Sequence, residues 1–79
     1  MREEKAKQLS TIKSELLQNK DLNSKVVYDS VKLALEDDYL FDLMVDYKNE
    51  ANSSIKKEML HEIVNYTEEM VRKLKLGNK

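Results

Sequence analysis

The feature that most restricts the fold of this 79-residue chain is its lack of residues that turn or break the backbone. The chain contains no proline and a single glycine, Gly77, which stands two residues before the last position. Sheets and long loops depend on glycine and proline for their turns, and the same residues interrupt helices. The sequence therefore predicts an all-α protein, folded as a bundle of three or four helices.

Composition indicates a single folded domain, residues 1–79, with fraying expected at residues 1–7 and 77–79. Hydrophobic residues make up 41% and charged residues 37% of the chain, which is more apolar than a disordered segment of similar charge. A domain of this size buries only roughly 60% of its unfolded surface, and without cysteine it has no disulfide to support it. We therefore expect self-association into a homodimer. No apolar run is long enough for a membrane span or a signal sequence, which favours a cytoplasmic protein that does not associate with membranes.

Apolar periodicity predicts four helical segments, at about residues 3–18, 25–36, 38–52 and 55–76. The first has a narrow apolar stripe and is expected to be the least firmly anchored. The second places Tyr28 on its core face, and either Asp37 or Asp38 can cap a separate third helix, although a bent continuation of the second helix is an alternative. Ser53 and Ser54 are the expected caps of the fourth helix.

The third segment has the broadest apolar surface, so it is expected to be buried on two sides. We expect it to pair with the fourth segment as an antiparallel hairpin and to form the centre of the homodimer. The residues predicted for the oligomer interface are Leu40, Phe41, Met44, Val45 and Tyr47.

The charge pattern favours a small non-enzymatic protein-binding module, such as a regulator, adaptor or inhibitor that acts through helix surfaces. Residues 36–50 contain six acidic residues and one lysine. Four of the acids recur at four-residue spacing and predict an acidic edge along one helix: Asp38, Asp42, Asp46 and Glu50. Val26 and Leu33 lie opposite the core face of the second helix and predict an apolar patch for the same partner.

Two other functions are consistent with the sequence. Residues 15–35 loosely follow a helix-turn-helix, in which Lys25 and Lys32 would face DNA with help from a basic cluster, Arg72, Lys73 and Lys75. The formal net charge of −1 weakens this alternative, because DNA affinity depends largely on neutralising phosphates. A structural assembly subunit is the third possibility, and it would form large oligomers.

The sequence predicts neither catalysis nor a metal or other cofactor. Glu58 and His61 have the spacing used in di-iron bundles, but both fall on the polar half of the fourth helix, away from a bundle core. The acidic edge lies on a helix, which cannot wrap around a calcium ion as a loop does. Without cysteine or a glycine-rich phosphate loop, no familiar catalytic motif is present.

Overall fold

Four α-helices and no strand make up the computed structural model, which describes the backbone of residues 2–77 and the side chains of residues 3–74. The helices are α1 (Arg2–Leu17), α2 (Ser24–Ala34), α3 (Asp38–Asn49) and α4 (Ser53–Gly77). The Cα radius of gyration of 12.3 Å is close to the value of about 12 Å for a compact domain of this length. The prediction of an all-α protein is confirmed. Of the residues predicted to fray, 2–7 belong to α1 and 77 to α4, while Met1, Asn78 and Lys79 lie outside the described residues. Fraying at the two ends stays a prediction.

Short polar side chains set the beginnings of the helices. Asn23 caps α2 by accepting a hydrogen bond from the backbone N–H of Lys25 at 2.8 Å. Asp37 caps α3 by accepting from the N–H of Leu40 at 3.1 Å, so α2 and α3 are separate helices. Asn52 accepts from the backbone N–H groups of residues 54 and 55, at 2.9 and 3.2 Å. The prediction of a serine cap for α4 was therefore wrong, because the helix begins at residue 53 and the asparagine before it holds the free N–H groups.

All four helices contribute to one apolar core. Its buried members are Leu9, Ile12, Leu16, Val27, Ala34, Leu40, Met44, Tyr47, Leu60 and Ile63. The three that belong to α1 are at most 1% exposed, so the expectation that α1 is the least firmly anchored helix does not agree with its burial. Its apolar stripe is narrow, but the stripe faces the core directly.

Tyr28 does not join the core as predicted. Its side chain is 52% exposed, and the Lys13 Nζ atom lies 4.4 Å from the centre of its ring. Ser30 occupies a buried position on the same helix and donates a hydrogen bond to the carbonyl of Val27 at 2.8 Å. The buried face of α2 therefore includes Ser30, whose hydroxyl is satisfied by its own helix backbone, and leaves out the ring of Tyr28.

The helices are arranged with α2 and α3 between α1 and α4. Each of the two inner helices contacts the other three, whereas α1 and α4 make no close backbone contact within the described ranges. Lys56 and Glu15 join the two outer helices through their side chains, with 2.7 Å between Nζ and Oε1. The candidate site lies beside this ion pair, on the flank of α4 to which Lys56 belongs.

Thr67 gives a stability prediction that concerns the core alone. Its side chain is 1% exposed, and its hydroxyl has no hydrogen-bond partner among the described residues. Burial of an unpaired hydroxyl is unfavourable, so the isosteric Thr67→Val substitution is expected to raise the free energy of unfolding by about 1–2 kcal/mol. Urea denaturation followed by circular dichroism measures this change.

The control for this prediction is Thr67→Ser, which keeps the hydroxyl and removes a buried methyl group. It is expected to lower the free energy of unfolding by about 1 kcal/mol. A valine variant less stable than the parent would show that the hydroxyl makes a favourable interaction.

Candidate functional site

A groove of about 610 Å³ lies between α4, the end of α3 and the link of residues 18–23 that joins α1 to α2. We call it the α4 groove. Its lining residues are Asn19, Asp21, Leu22, Tyr47, Ser53, Lys56, Lys57, Leu60, His61, Val64 and Asn65. Within the described ranges α1 and α4 make no close backbone contact, so α1 does not cover this flank of α4.

The floor of the α4 groove is apolar and comes from three parts of the chain. Tyr47 of α3 and Leu60 of α4 are buried, while Leu22 of the link and Val64 of α4 are half-buried. Leu60 and Val64 are four residues apart, so they lie on the same face of the helix. Burial is the largest cause of the raised pKa of Tyr47, in agreement with its position beneath the groove.

The rims of the α4 groove are polar, and all of their residues are exposed except the half-buried Asn19. Ser53, Lys57, His61 and Asn65 follow one another at four-residue spacing, which places them in a line along one edge of α4. The opposite rim contains Asn19 and Asp21, and the side chain of Asn19 accepts a hydrogen bond from the Asp21 N–H at 3.0 Å. Among the described residues, neither Lys57 nor His61 forms an ion pair.

Lys56 ties the groove to α1. Its ion pair with Glu15 spans 41 positions of sequence, and its Nζ atom also lies 4.9 Å from the centre of the Tyr47 ring. The hydrogen bond to Glu15 is the largest cause of the raised pKa of Lys56. Lys56 therefore connects α4 to α1 and to Tyr47, and its charge is largely offset by Glu15.

A second polar cluster, which we call the tyrosine cluster, joins the start of α3 to the middle of α4. Tyr66 donates a hydrogen bond from its hydroxyl to Asp37 at 2.5 Å, and its ring centre lies 5.0 Å from that of Tyr39. Tyr39 in turn donates to Glu62 at 2.8 Å. Because the neutral hydroxyl of Tyr66 is the donor to a carboxylate, the pKa of Tyr66 is raised to about 12. The cluster fixes α3 against α4.

The predicted acidic edge is only partly continuous. Asp38 forms an ion pair with Lys5 of α1 at 3.0 Å, while Asp42 and Asp46 are exposed on α3. Glu50 lies beyond the end of α3 in extended backbone, and its Oε2 atom accepts a hydrogen bond from the N–H of Asn52 at 3.1 Å. The expected helical ladder of four acids therefore contains three helical residues, because α3 ends at Asn49.

Much of the apolar surface predicted for partners is used inside the chain. Leu33 packs against the core and is half-buried, as is Val26, so the two do not form an exposed patch. In the predicted oligomer interface, Phe41 and Val45 are half-buried and the other three residues are buried: Leu40, Met44 and Tyr47. Leu40 and Met44 are 0% exposed and offer no surface to a second copy, whereas Tyr47 keeps a small exposed area.

The basic residues of the DNA-binding alternative lie on two helices: Lys25 and Lys32 share an exposed face of α2, and Arg72 and Lys73 belong to α4. Lys25 pairs with Asp29 at 3.3 Å, and Lys73 of α4 lies 3.9 Å from Glu69. Lys32 and Arg72 are exposed on different helices, and the side chain of Lys75 lies outside the described residues. Because α2 packs against three other helices, only a narrow strip of it faces outward.

Searches for metal sites and membrane spans gave no candidate in the described part of the chain. No group of three or more histidine, aspartate or glutamate side chains there could hold a metal ion, and both Glu58 and His61 are exposed. No described helix is long and apolar enough to cross a membrane. Comparison of the chain with protein-family models, with curated proteins and with solved structures gave no match.

The α4 groove was missed at the level of sequence, although part of its signal is visible there. The polar line from Ser53 to Asn65 borders an apolar line of Leu60 and Val64, as expected for one edge of an amphipathic helix. That pattern does not indicate whether the edge is covered by a neighbouring helix. The two other floor residues, Leu22 and Tyr47, come from distant parts of the chain.

Proposed function

We propose that this protein is a small non-enzymatic protein-binding module that takes a helical segment of another protein in the α4 groove. The observation that carries the proposal is an apolar floor between two polar rims, whose residues are exposed apart from Asn19. Protein interfaces have this organisation, with an apolar centre that excludes water and a polar margin. None of the four residues of the acidic edge predicted from sequence lines the α4 groove.

The length of the groove favours a helical segment over a small molecule. Ser53 and Asn65 are twelve residues apart, so the polar rim extends about 18 Å along α4. A helix of three to four turns has that length and presents apolar anchors one turn apart, which is how amphipathic helices fill grooves. Leu60 and Val64 are spaced to pack between such anchors.

We also propose that α3 and α4 form the antiparallel hairpin expected from the sequence. In support, the start of α3 contacts the middle of α4 through Tyr39 and Tyr66, and the end of α3 contacts the start of α4 through Tyr47 and Lys56. The expected homodimer has less support, since its central residues are buried within one chain. The proposed partner is therefore a different protein, and no specific observation favours DNA binding or a structural assembly.

A selection from a library of helical peptides tests the proposal. Peptides retained by the purified protein are expected to bind at least about tenfold more weakly to the Val64→Gln variant, which corresponds to roughly 1.4 kcal/mol. The physical reason is that glutamine places a polar group on the apolar floor. Fluorescence anisotropy measures the affinities, and circular dichroism checks that each variant is folded.

The matched control is Val26→Gln, because Val26 is also a half-buried valine and belongs to the patch predicted from the sequence. Its affinity is expected to stay within about twofold of the parent protein. Equal weakening in both variants, or retention of no peptide at all, would contradict binding in the α4 groove.

A further inference from the structure

We propose that the helical segment taken by the α4 groove carries acidic side chains on the flank that faces α4. This inference rests on the proposed function and adds the chemistry of the partner and its orientation. Its basis is the unequal distribution of charge on the two rims of the groove.

Lys57 gives the α4 rim a positive charge, and no ion pair with the exposed Glu58 beside it offsets that charge among the described residues. His61 stands one turn away on the same rim, and the other two rim residues, Ser53 and Asn65, are uncharged. Lys57 forms no ion pair with any described residue. Its ammonium group is therefore free to meet a carboxylate from a partner.

The N-terminus of α4 adds further positive potential on the same side of the groove. The helix begins at Ser53, on the groove, and its first turn contains no acidic residue. A helix N-terminus has the positive end of the helix dipole, and an acid in its first turn would normally offset that charge. The side chain of Asn52 satisfies two of the N–H groups but adds no charge.

The opposite rim has the other sign. Asp21 is the one acidic residue among those that line the groove, and it lies on the link between α1 and α2. Lys56 does not change the balance, because Glu15 is paired with it at 2.7 Å. A helix in the groove thus lies between a basic rim and an acidic one, and its acidic flank faces α4.

Exposed charge pairs contribute little affinity each, so the expected effect is modest but has a defined direction. Peptides selected on the parent protein are expected to be enriched in glutamate and aspartate on one flank. Replacement of those acids by glutamine is expected to weaken binding to the parent about fivefold at low salt, and much less at 0.5 M salt where charges are screened.

The deciding experiment repeats the selection and the affinity measurements on Lys57→Glu. This variant is expected to select basic residues on the same flank and to lose the preference for acidic over glutamine peptides. Lys32→Glu is the matched control, because it makes the same charge change on an exposed lysine of α2 outside the groove. It is expected to keep the acidic preference of the parent.

The outcomes separate this inference from the proposed function. Peptides that depend on Val64 but show no charge preference, or prefer a basic flank on the parent protein, would overturn the inference and leave groove binding in place. An acidic preference that Lys32→Glu removes as fully as Lys57→Glu would also overturn it, since general charge would then be the cause. If no selected peptide depends on Val64, the proposed function itself fails.

Discussion

Replacing Leu16 with alanine is expected to lower the free energy of unfolding by about 2–5 kcal/mol, the range for large-to-small changes at fully buried positions. Leu16 is 1% exposed and lies in the core. A domain of this length has a total stability of about 4–12 kcal/mol, so the variant is expected to be largely unfolded under mild denaturing conditions. Urea denaturation followed by circular dichroism at 222 nm measures the loss.

Leu17 provides the control because it is the next residue of the same helix and is 40% exposed. The identical change, Leu17→Ala, is expected to cost less than about 1 kcal/mol, since it removes little buried area and leaves no internal cavity. Similar small losses in the two variants would mean that α1 does not dock on the core. That result would restore the sequence-based expectation of a weakly anchored first helix.

Replacing Asp37 with alanine is expected to lower the free energy of unfolding by about 1–2 kcal/mol. Asp37 caps α3 through the N–H of Leu40 and also accepts the hydroxyl of Tyr66, so one substitution removes a helix cap and a contact between α3 and α4. Asp37→Asn is the control, because its amide oxygen can still accept one of these hydrogen bonds. The asparagine variant is expected to lose less stability than the alanine variant.

The same residue gives the protein a defined acid dependence. The hydrogen bond from Tyr66 is the largest cause that lowers the pKa of Asp37 below its ordinary value of 3.8, with smaller contributions from backbone N–H groups and from Lys5 and an opposing effect of burial. A carboxyl whose pKa is lower in the folded state stabilises the fold above its unfolded pKa, and that stability is lost as the pH falls through the folded value.

Denaturation curves at several pH values between 2 and 7 therefore test the role of Asp37. The stability difference between the parent and Asp37→Asn is expected to be constant above about pH 5 and to shrink as Asp37 is protonated below about pH 4. A difference that does not change with pH would show that the Asp37 carboxylate has no favourable partner in the folded state.

Which residues form the middle of each helix was largely predictable from sequence. Where the helices end and which side chains are exposed was not. Val27 and Ala34 are seven residues apart, so helical spacing alone places them on one face of α2, and both are buried. Tyr28 was predicted on the core face of α2 but is exposed. Helical spacing gives the direction in which a side chain points, but not how closely another helix packs there. Glu50 is not on the helical acidic edge, because α3 ends at Asn49, the residue before it. Residue spacing alone does not show where a helix ends.

The candidate site illustrates the same division. The polar line of Lys57 and His61 and the apolar line of Leu60 and Val64 are properties of one helix, and both can be identified from spacing. Their role as the wall and floor of a groove depends on Tyr47 and Leu22, which come from other parts of the chain. It also depends on α1 and α4 making no close backbone contact over their described ranges.

The sequence by itself determined that this protein is helical, because a chain without proline and with one glycine near its end has few ways to turn, and because its apolar residues recur at helical spacing. Only the tertiary structure decided which apolar faces are covered. Leu40 and Met44 appeared suited to a second copy but are enclosed by the other helices, while the flank of α4 is left open. The physical reason is that a side chain becomes buried only when another part of the chain packs over it. The sequence of one helix does not determine which neighbour does so.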